Sequence, residues 1–187
     1  PIPKMGRNAI DTNELFIDEL FVADEDVIGE VGEGFKAILA GLNAERVISA
    51  NAAIGLGRAA LRRATEYAKE RVVFGRPIGQ NQLISGQLAE AKIRLDAADL
   101  MCRQAAWMID NDIPCAKEAN EAKYLAAEAG FHAADVAISV HGGYGFAKEY
   151  HVERYFREAR LMRIAPISQE MVLNYIAEHV LGLPRSY

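Results

Sequence analysis

Apolar and small side chains recur at spacings of three and four through most of the chain, the period of buried helix faces. Phe35, Ile38, Leu42, Ala53 and Leu56 predict one long helix over residues 35–71, about 54 Å if continuous at 1.5 Å per residue. Val47, Ile48 and Ile54 lie off that first stripe, so the helix is apolar on more than one side and belongs inside a bundle. Gly41, Gly55 and Gly57 each weaken it by up to about 1 kcal/mol; close approach of another backbone is the expected compensation. A second helix is predicted over 81–109, with Leu83, Ile84, Leu88, Ala91, Leu95, Ala98, Cys102 and Ala105 as its stripe. The run NDIP at 111–114 breaks it. A third helix, 115–140, carries a smooth face of Ala119, Ala122, Ala126, Ala129, Ala133, Val136, Ala137 and Val140. Side chains this small let helices approach closely.

The remaining segments are shorter. NELFIDELFV at 13–22 predicts two short strands or one bent strand, followed by turns at 24–26 and 29–34. A strand pair of this size cannot bury its own apolar face and must lean on the helices or on further strands. Residues 72–79 predict a loop, and so do 141–146, where three glycines in four positions disfavour a helix. A short helix over 149–157, a break at Pro166, and a last helix capped by Ser168 and running to about 180 complete the reading. The expected architecture is all-α: an up-and-down bundle of long helices with a short β remnant at the amino terminus.

Composition narrows the function classes. The chain has 187 residues, half of them hydrophobic and a quarter charged, enough for one sizeable domain or a domain plus a fragment. A net charge of -5 argues against a general nucleic-acid binder. No apolar run approaches a membrane span, and the start, PIPKMG, lacks the apolar core of a secretory signal. A chain beginning at proline suggests a piece of a longer protein. Cys102 and Cys115 form no disulfide framework and read as small apolar residues in a reducing compartment. His132, His141, His151 and His179 have no metal-ligand pattern.

Several residues carry possible chemistry. Glu45 falls on the same helical stripe as Ile38, Leu42, Ser49 and Leu56. A carboxylate there is costly unless it is paired, with Arg46 or a neighbouring helix, or has catalytic work. The loop around Gly142 and Gly143 offers bare backbone N–H groups to an anion, or is a plain connector. Arg71 and Arg76 flank an aromatic turn, suited to a phosphate or to a helix C-terminus. The charged run Glu153, Arg154, Arg157, Glu158, Arg160 and Arg163 reads as a solvated or subunit-bridging face. Trp107, Met101 and Met108 read as core packing.

Taken together, these stretches resemble the carboxy-terminal helical domain of the acyl-CoA dehydrogenases, through essentially the whole chain. Residues 1–34 look like the end of that family's middle β-domain and its exit, and 35–187 like its helical bundle. Glu70-Arg71-Val72-Val73-Phe74-Gly75-Arg76-Pro77 with Gln82 looks like the family's ER-x-x-FG-x-x loop and following glutamine. Gly142-Gly143-Tyr144-Gly145-Phe146, Glu149, Arg154 and Glu158 fall at the spacings of its glycine signature.

The resemblance implies removal of an α-proton and a β-hydride from an acyl-CoA, with FAD at a subunit interface of a homotetramer or dimer. It also implies electron-transferring flavoprotein as acceptor, and a cytoplasmic or mitochondrial-matrix setting. Arg71, Phe74 and Gln82 would contact FAD, as would Ser139, Gly142, Gly143, Ser168 and Glu170; many relatives carry glutamine where Ser139 stands. Asn43, Arg46 and Tyr144 would line the substrate. Leu42-Asn43-Ala44-Glu45-Arg46 matches the Leu-x-x-Glu-Arg run that carries the catalytic base in the isovaleryl-CoA dehydrogenase group. This makes Glu45 the expected general base, its pKa raised by burial, with Glu170 the rival. In other relatives the base stands where Pro166 is found here. That position also donates a backbone N–H to the thioester carbonyl, and proline has none; such a loss costs on the order of 2.7–4 kcal/mol in the barrier. A fragment of this length is expected to assemble as a bundle but to bind FAD poorly and turn over nothing. A same-fold flavin oxidase and a non-catalytic helical oligomerisation domain are the alternatives.

Overall fold

A computed structural model describes residues 1–185, apart from the side chains of residues 36, 37 and 40; the last two residues of the expected 35–187 bundle domain lie outside them. Five helices follow one another: α1 Gly34–Glu70, α2 Gln82–Asp110, α3 Ala116–His141, α4 Val152–Met162 and α5 Gln169–Tyr175. The three long ones match the apolar periodicity to within about a residue at each end. None of the helices described is long and apolar enough to cross a membrane.

The centre of the bundle is α3. It packs on α1, α2 and α4, and its alanine face is buried throughout: Ala119, Ala122, Ala126, Ala133 and Ala137 are fully covered. Where α1 and α3 meet, the backbones nearly touch. A Cβ added to Gly130 would lie 2.5 Å from the Ala53 carbonyl oxygen, and one added to Gly57 would lie 2.9 Å from the Gly130 Cα. Gly57 thus has the compensation expected of it. Gly41 and Gly55 do not, for a Cβ on either meets nothing within 4 Å.

The core face of α1 is Val47, Ala50, Ala53, Ile54, Leu61, Ala64 and Ala68, not the stripe through Ile38 and Glu45. On α2 the expected face holds from Ala91 to Ala105, but Leu83 is exposed, and Trp107 is 59% exposed rather than part of the core. Both lie off the strip of α2 that α3 covers.

The small elements depart more from expectation. Residues 13–22 form no strand, since no neighbouring strand takes up their backbone groups; they bend at Glu19, φ 46°, and leave Phe16 90% and Phe21 86% exposed. The strands occur instead within the predicted 72–79 loop: β1 Val72–Val73 pairs antiparallel with β2 Arg76–Pro77. Phe74 and Gly75, at φ 52° and 77°, make the left-handed two-residue turn that such a hairpin demands.

Gly142–Phe146 coils into 3-10 turns. Gly145 is required there, as a Cβ would strike the Ile138 carbonyl at 2.5 Å. The predicted 149–157 helix starts later, at Val152. Ser168 does cap the last helix, its Oγ accepting the Met171 N–H at 3.3 Å, but α-geometry ends at Tyr175 and a π turn continues over Ile176–Val180.

Replacing Gly130 by Ala should lower stability by about 1–3 kcal/mol through overpacking at the α1–α3 crossing. Gly55→Ala should raise it by up to about 1 kcal/mol, because the helix gains alanine's propensity with no collision. Denaturant midpoints of the two variants, expected to move in opposite directions, check the pair.

Candidate active site

Residues from the end of α1 and the end of α3 meet in an open cleft of about 570 Å³. Arg71, Val73 and Ile78 form one wall, and Ser139, Gly142, Gly143 and Tyr144 the other, with Tyr67 and His141 beneath. The floor is aromatic: Tyr67 stacks on His141 at 4.3 Å, and Tyr150 sets its edge against both at 5.7 and 5.3 Å. Burial lowers the His141 pKa, opposed by its hydrogen bond to the Ala137 carbonyl. The ring is therefore neutral near pH 7, and Nδ1–H donates over 2.7 Å to that carbonyl.

Of the expected cofactor residues, four line this cleft: Arg71, Ser139, Gly142 and Gly143. A Cβ on Gly142 or Gly143 would meet nothing within 4 Å, so these glycines leave space beside the main chain. One part of the expectation fails: the Gly142 N–H is not bare, because it closes α3 on the Ile138 and Ser139 carbonyls. Phe74 stands at the hairpin tip, fully exposed. Gln82 lies in a separate shallow cleft with Arg76, Gln80 and Asn81, where Arg76 Nη2 donates to Asn81 Oδ1 at 2.8 Å.

The other expected residues sit towards the opposite end of α1. Glu45 and Arg71 are 26 positions apart on one helix, about 39 Å at 1.5 Å per residue. Arg46 donates to Asn43 Oδ1 at 2.9 Å, and burial lowers its pKa, with Tyr175 and Glu45 opposing. Glu45 is exposed, contrary to the apolar pocket expected of it. Its stripe on α1 is not the one that α3 covers. Ser168 is engaged as a helix cap and Glu170 is exposed two residues further on. Hydrogen bonds from its own backbone N–H and from Ser168 lower the Glu170 pKa. Tyr144, expected with Asn43 and Arg46, lies instead in the Arg71 cleft, 5.2 Å from Tyr150.

Beside this second group stands a residue the sequence reading passed over. Lys123 is 1% exposed, on the alanine face of α3. Its ammonium donates to the Ile167 carbonyl and, at 2.8 Å, to Gln169 Oε1. Gln169 donates in turn to Glu128 at 3.0 Å, which also accepts from Arg163 at 2.7 Å. This network ties the α4–α5 turn, with Pro166 in it, to α3. The available signal was a lysine among alanines: position 123 falls between Ala119 and Ala126 on a face with no other charge.

Burial lowers the Lys123 pKa to about 8, against the attraction of Glu170 and Glu128. Below pH 8 the lysine is charged whether folded or not, and the burial cost is present in full. Between pH 8 and the ordinary value of 10.5 the unfolded chain binds more protons, so stability rises with pH. The rise is on the order of 3 kcal/mol at 1.36 kcal/mol per unit. Denaturant midpoints at pH 7.5, 9 and 10 should show it, and Lys123→Met should flatten the profile relative to the unchanged chain.

Comparison with known proteins identifies the family. The sequence model of the acyl-CoA dehydrogenase C-terminal domain matches residues 32–181. An acyl-CoA dehydrogenase of Mycobacterium tuberculosis, FadE12, is 44% identical over 176 residues, which are 93% of this chain and 45% of that protein. The glutaryl-CoA complex of glutaryl-coenzyme A dehydrogenase superposes with a TM-score of 0.93 at 32% identity, over 99% of this chain and 47% of that one. The FAD complex of PigA superposes with a TM-score of 0.84 at 26% identity, over 89% and 43%. The chain thus spans about half the length of these proteins. With the helices, the hairpin and the glycine turn all in the matched span, the chain belongs to the acyl-CoA dehydrogenase family, as its carboxy-terminal domain.

Proposed function

We propose that this chain is the helical part of a flavin-dependent enzyme that removes an α-proton and a β-hydride from an acyl-CoA thioester. The observation that carries the reading is the cleft joining Arg71 to Ser139, Gly142 and Gly143. A guanidinium faces main chain free of side-chain bulk, over an aromatic floor, which suits an anionic, partly aromatic cofactor. FAD, when bound, supplies the hydride acceptor. Arg71 would hold its phosphates, and Phe74 and Gln82 would extend the contact along α2, on this chain or across a subunit interface.

Proton abstraction falls to Glu45. A carboxylate on α1, beside an arginine anchored to Asn43, removes the α-proton once the thioester lies against it. The relatives run to about twice the matched length, and under this reading residues outside the match wall Glu45 off from water. The Lys123 network holds the Pro166 turn to α3. Residues 1–34 end a β-domain and 35–187 form the bundle; the working unit is a homo-oligomer that passes electrons to an electron-transferring flavoprotein, in bacterial cytoplasm or mitochondrial matrix.

A second reading has its own support. The exposed Glu45 and the missing N–H at Pro166 favour a non-catalytic assembly domain that keeps the fold. Anaerobic addition of acyl-CoA to the full-length yellow protein separates the readings. Dehydrogenation bleaches the flavin absorbance at some chain length. Glu45→Gln should slow both bleaching and α-proton exchange by about 10²–10⁴-fold with the flavin retained. Bleaching undiminished by the substitution removes Glu45 as base, absence of bleaching at every chain length supports the assembly domain, and peroxide release in air without an acceptor protein identifies an oxidase.

A further inference from the structure

Part of the charged run, expected as a solvated or subunit-bridging face, turns inward on α4: Arg154 and Arg160 are exposed, but Arg157 and Glu158 are half-buried. Glu158 turns toward the segment that precedes the bundle. Its Oε1 accepts the backbone N–H of Arg7 at 2.7 Å, and its Oε2 lies 3.3 Å from the Arg7 guanidinium Nε. One position earlier on α4, Arg157 donates to the Met5 carbonyl while also bonding Glu153 at 2.8 Å. Two adjacent helix residues of opposite charge therefore grip a backbone carbonyl and a backbone N–H two residues apart.

The gripped segment is shaped for it. A Cβ at Gly6 would lie 3.0 Å from Glu158 Oε1, so a side chain there presses on the carboxylate that accepts the Arg7 N–H. Arg7 itself sits at φ 54°, a left-handed conformation in which a non-glycine residue persists only when its surroundings hold it. Its guanidinium also reaches Met162 Sδ at 4.0 Å. Beyond these contacts the segment runs on into the exposed residues 13–22, so the grip at 5–7 anchors it ahead of that stretch.

We propose that Arg157 and Glu158 form a docking site for the main chain of residues 5–7, and that this clasp fixes how the part preceding α1 sits on the helical bundle. Glu158 is a positioning residue in this account, and the account does not depend on acyl-CoA chemistry. A carboxylate accepting a backbone N–H and facing a guanidinium is a charge-assisted contact, stronger than a neutral hydrogen bond. Its loss releases the Arg7–Asn8 bond to proteases in proportion to the undocked population.

Trypsin cleavage of the full-length protein tests this, with the exposed α2 residue Arg94 as internal reference. Glu158→Gln should speed cleavage after Arg7 by about 10- to 100-fold, Gly6→Val should do so from the other side of the contact, and Glu158→Asp should restore part of the protection. Cleavage after Arg94 should not change. Unchanged cleavage after Arg7 in both variants overturns the proposal, as does a rise of equal factor after Arg94, which reports general loosening. Flavin bleaching is read separately, so loss of the clasp and loss of the redox reading are told apart.

Discussion

The crossing of α1 and α3 sets the rest of the structure. At Gly57, Ala53 and Gly130 the two helices approach until main chain meets main chain, which leaves no room for a methyl group. Such contact is possible because α3 presents alanine almost continuously. The dispersion energy of many small contacts replaces the bulk of leucine and phenylalanine. A crossing packed this tightly has little freedom to rotate or slide, and both ends of the two helices inherit that rigidity.

Those ends carry the candidate chemistry. At one, α3 stops at His141 and α1 at Glu70, and their following turns form the cleft around Arg71 and Gly142. At the other, α1 presents Asn43, Glu45 and Arg46, while Lys123 draws the Pro166 turn onto α3. The proposed cofactor and proton-transfer groups thus lie far apart on one rod. Under the proposed function, a second subunit would bring one group to the other.

Charged side chains hold the short elements to the bundle: Lys123 is buried, and Glu128 and Glu158 are half-buried. Lys123 and Glu128 hold α5 through Gln169, and Glu158 holds the amino-terminal segment through Arg7. The amino-terminal segment leaves most of its large apolar side chains exposed. Directional bonds to groups already immobilised on α3 and α4 supply what packing does not.

The sequence by itself determined the three long helices, the breaks between them and the buried face of α3, because an apolar period of three and four is a local property that survives whatever surrounds it. It also determined the family, through the run Glu70–Pro77 and the glycine turn. Tertiary structure alone decided which of several apolar stripes on α1 became core, and so left Glu45 exposed and Val47 buried. It likewise decided that Trp107 faces outward, that residues 13–22 form no strand, and that Lys123 and Glu158 are clamps. Each of those outcomes depends on what lies opposite a residue across space, and periodicity along one chain carries no record of the opposing surface.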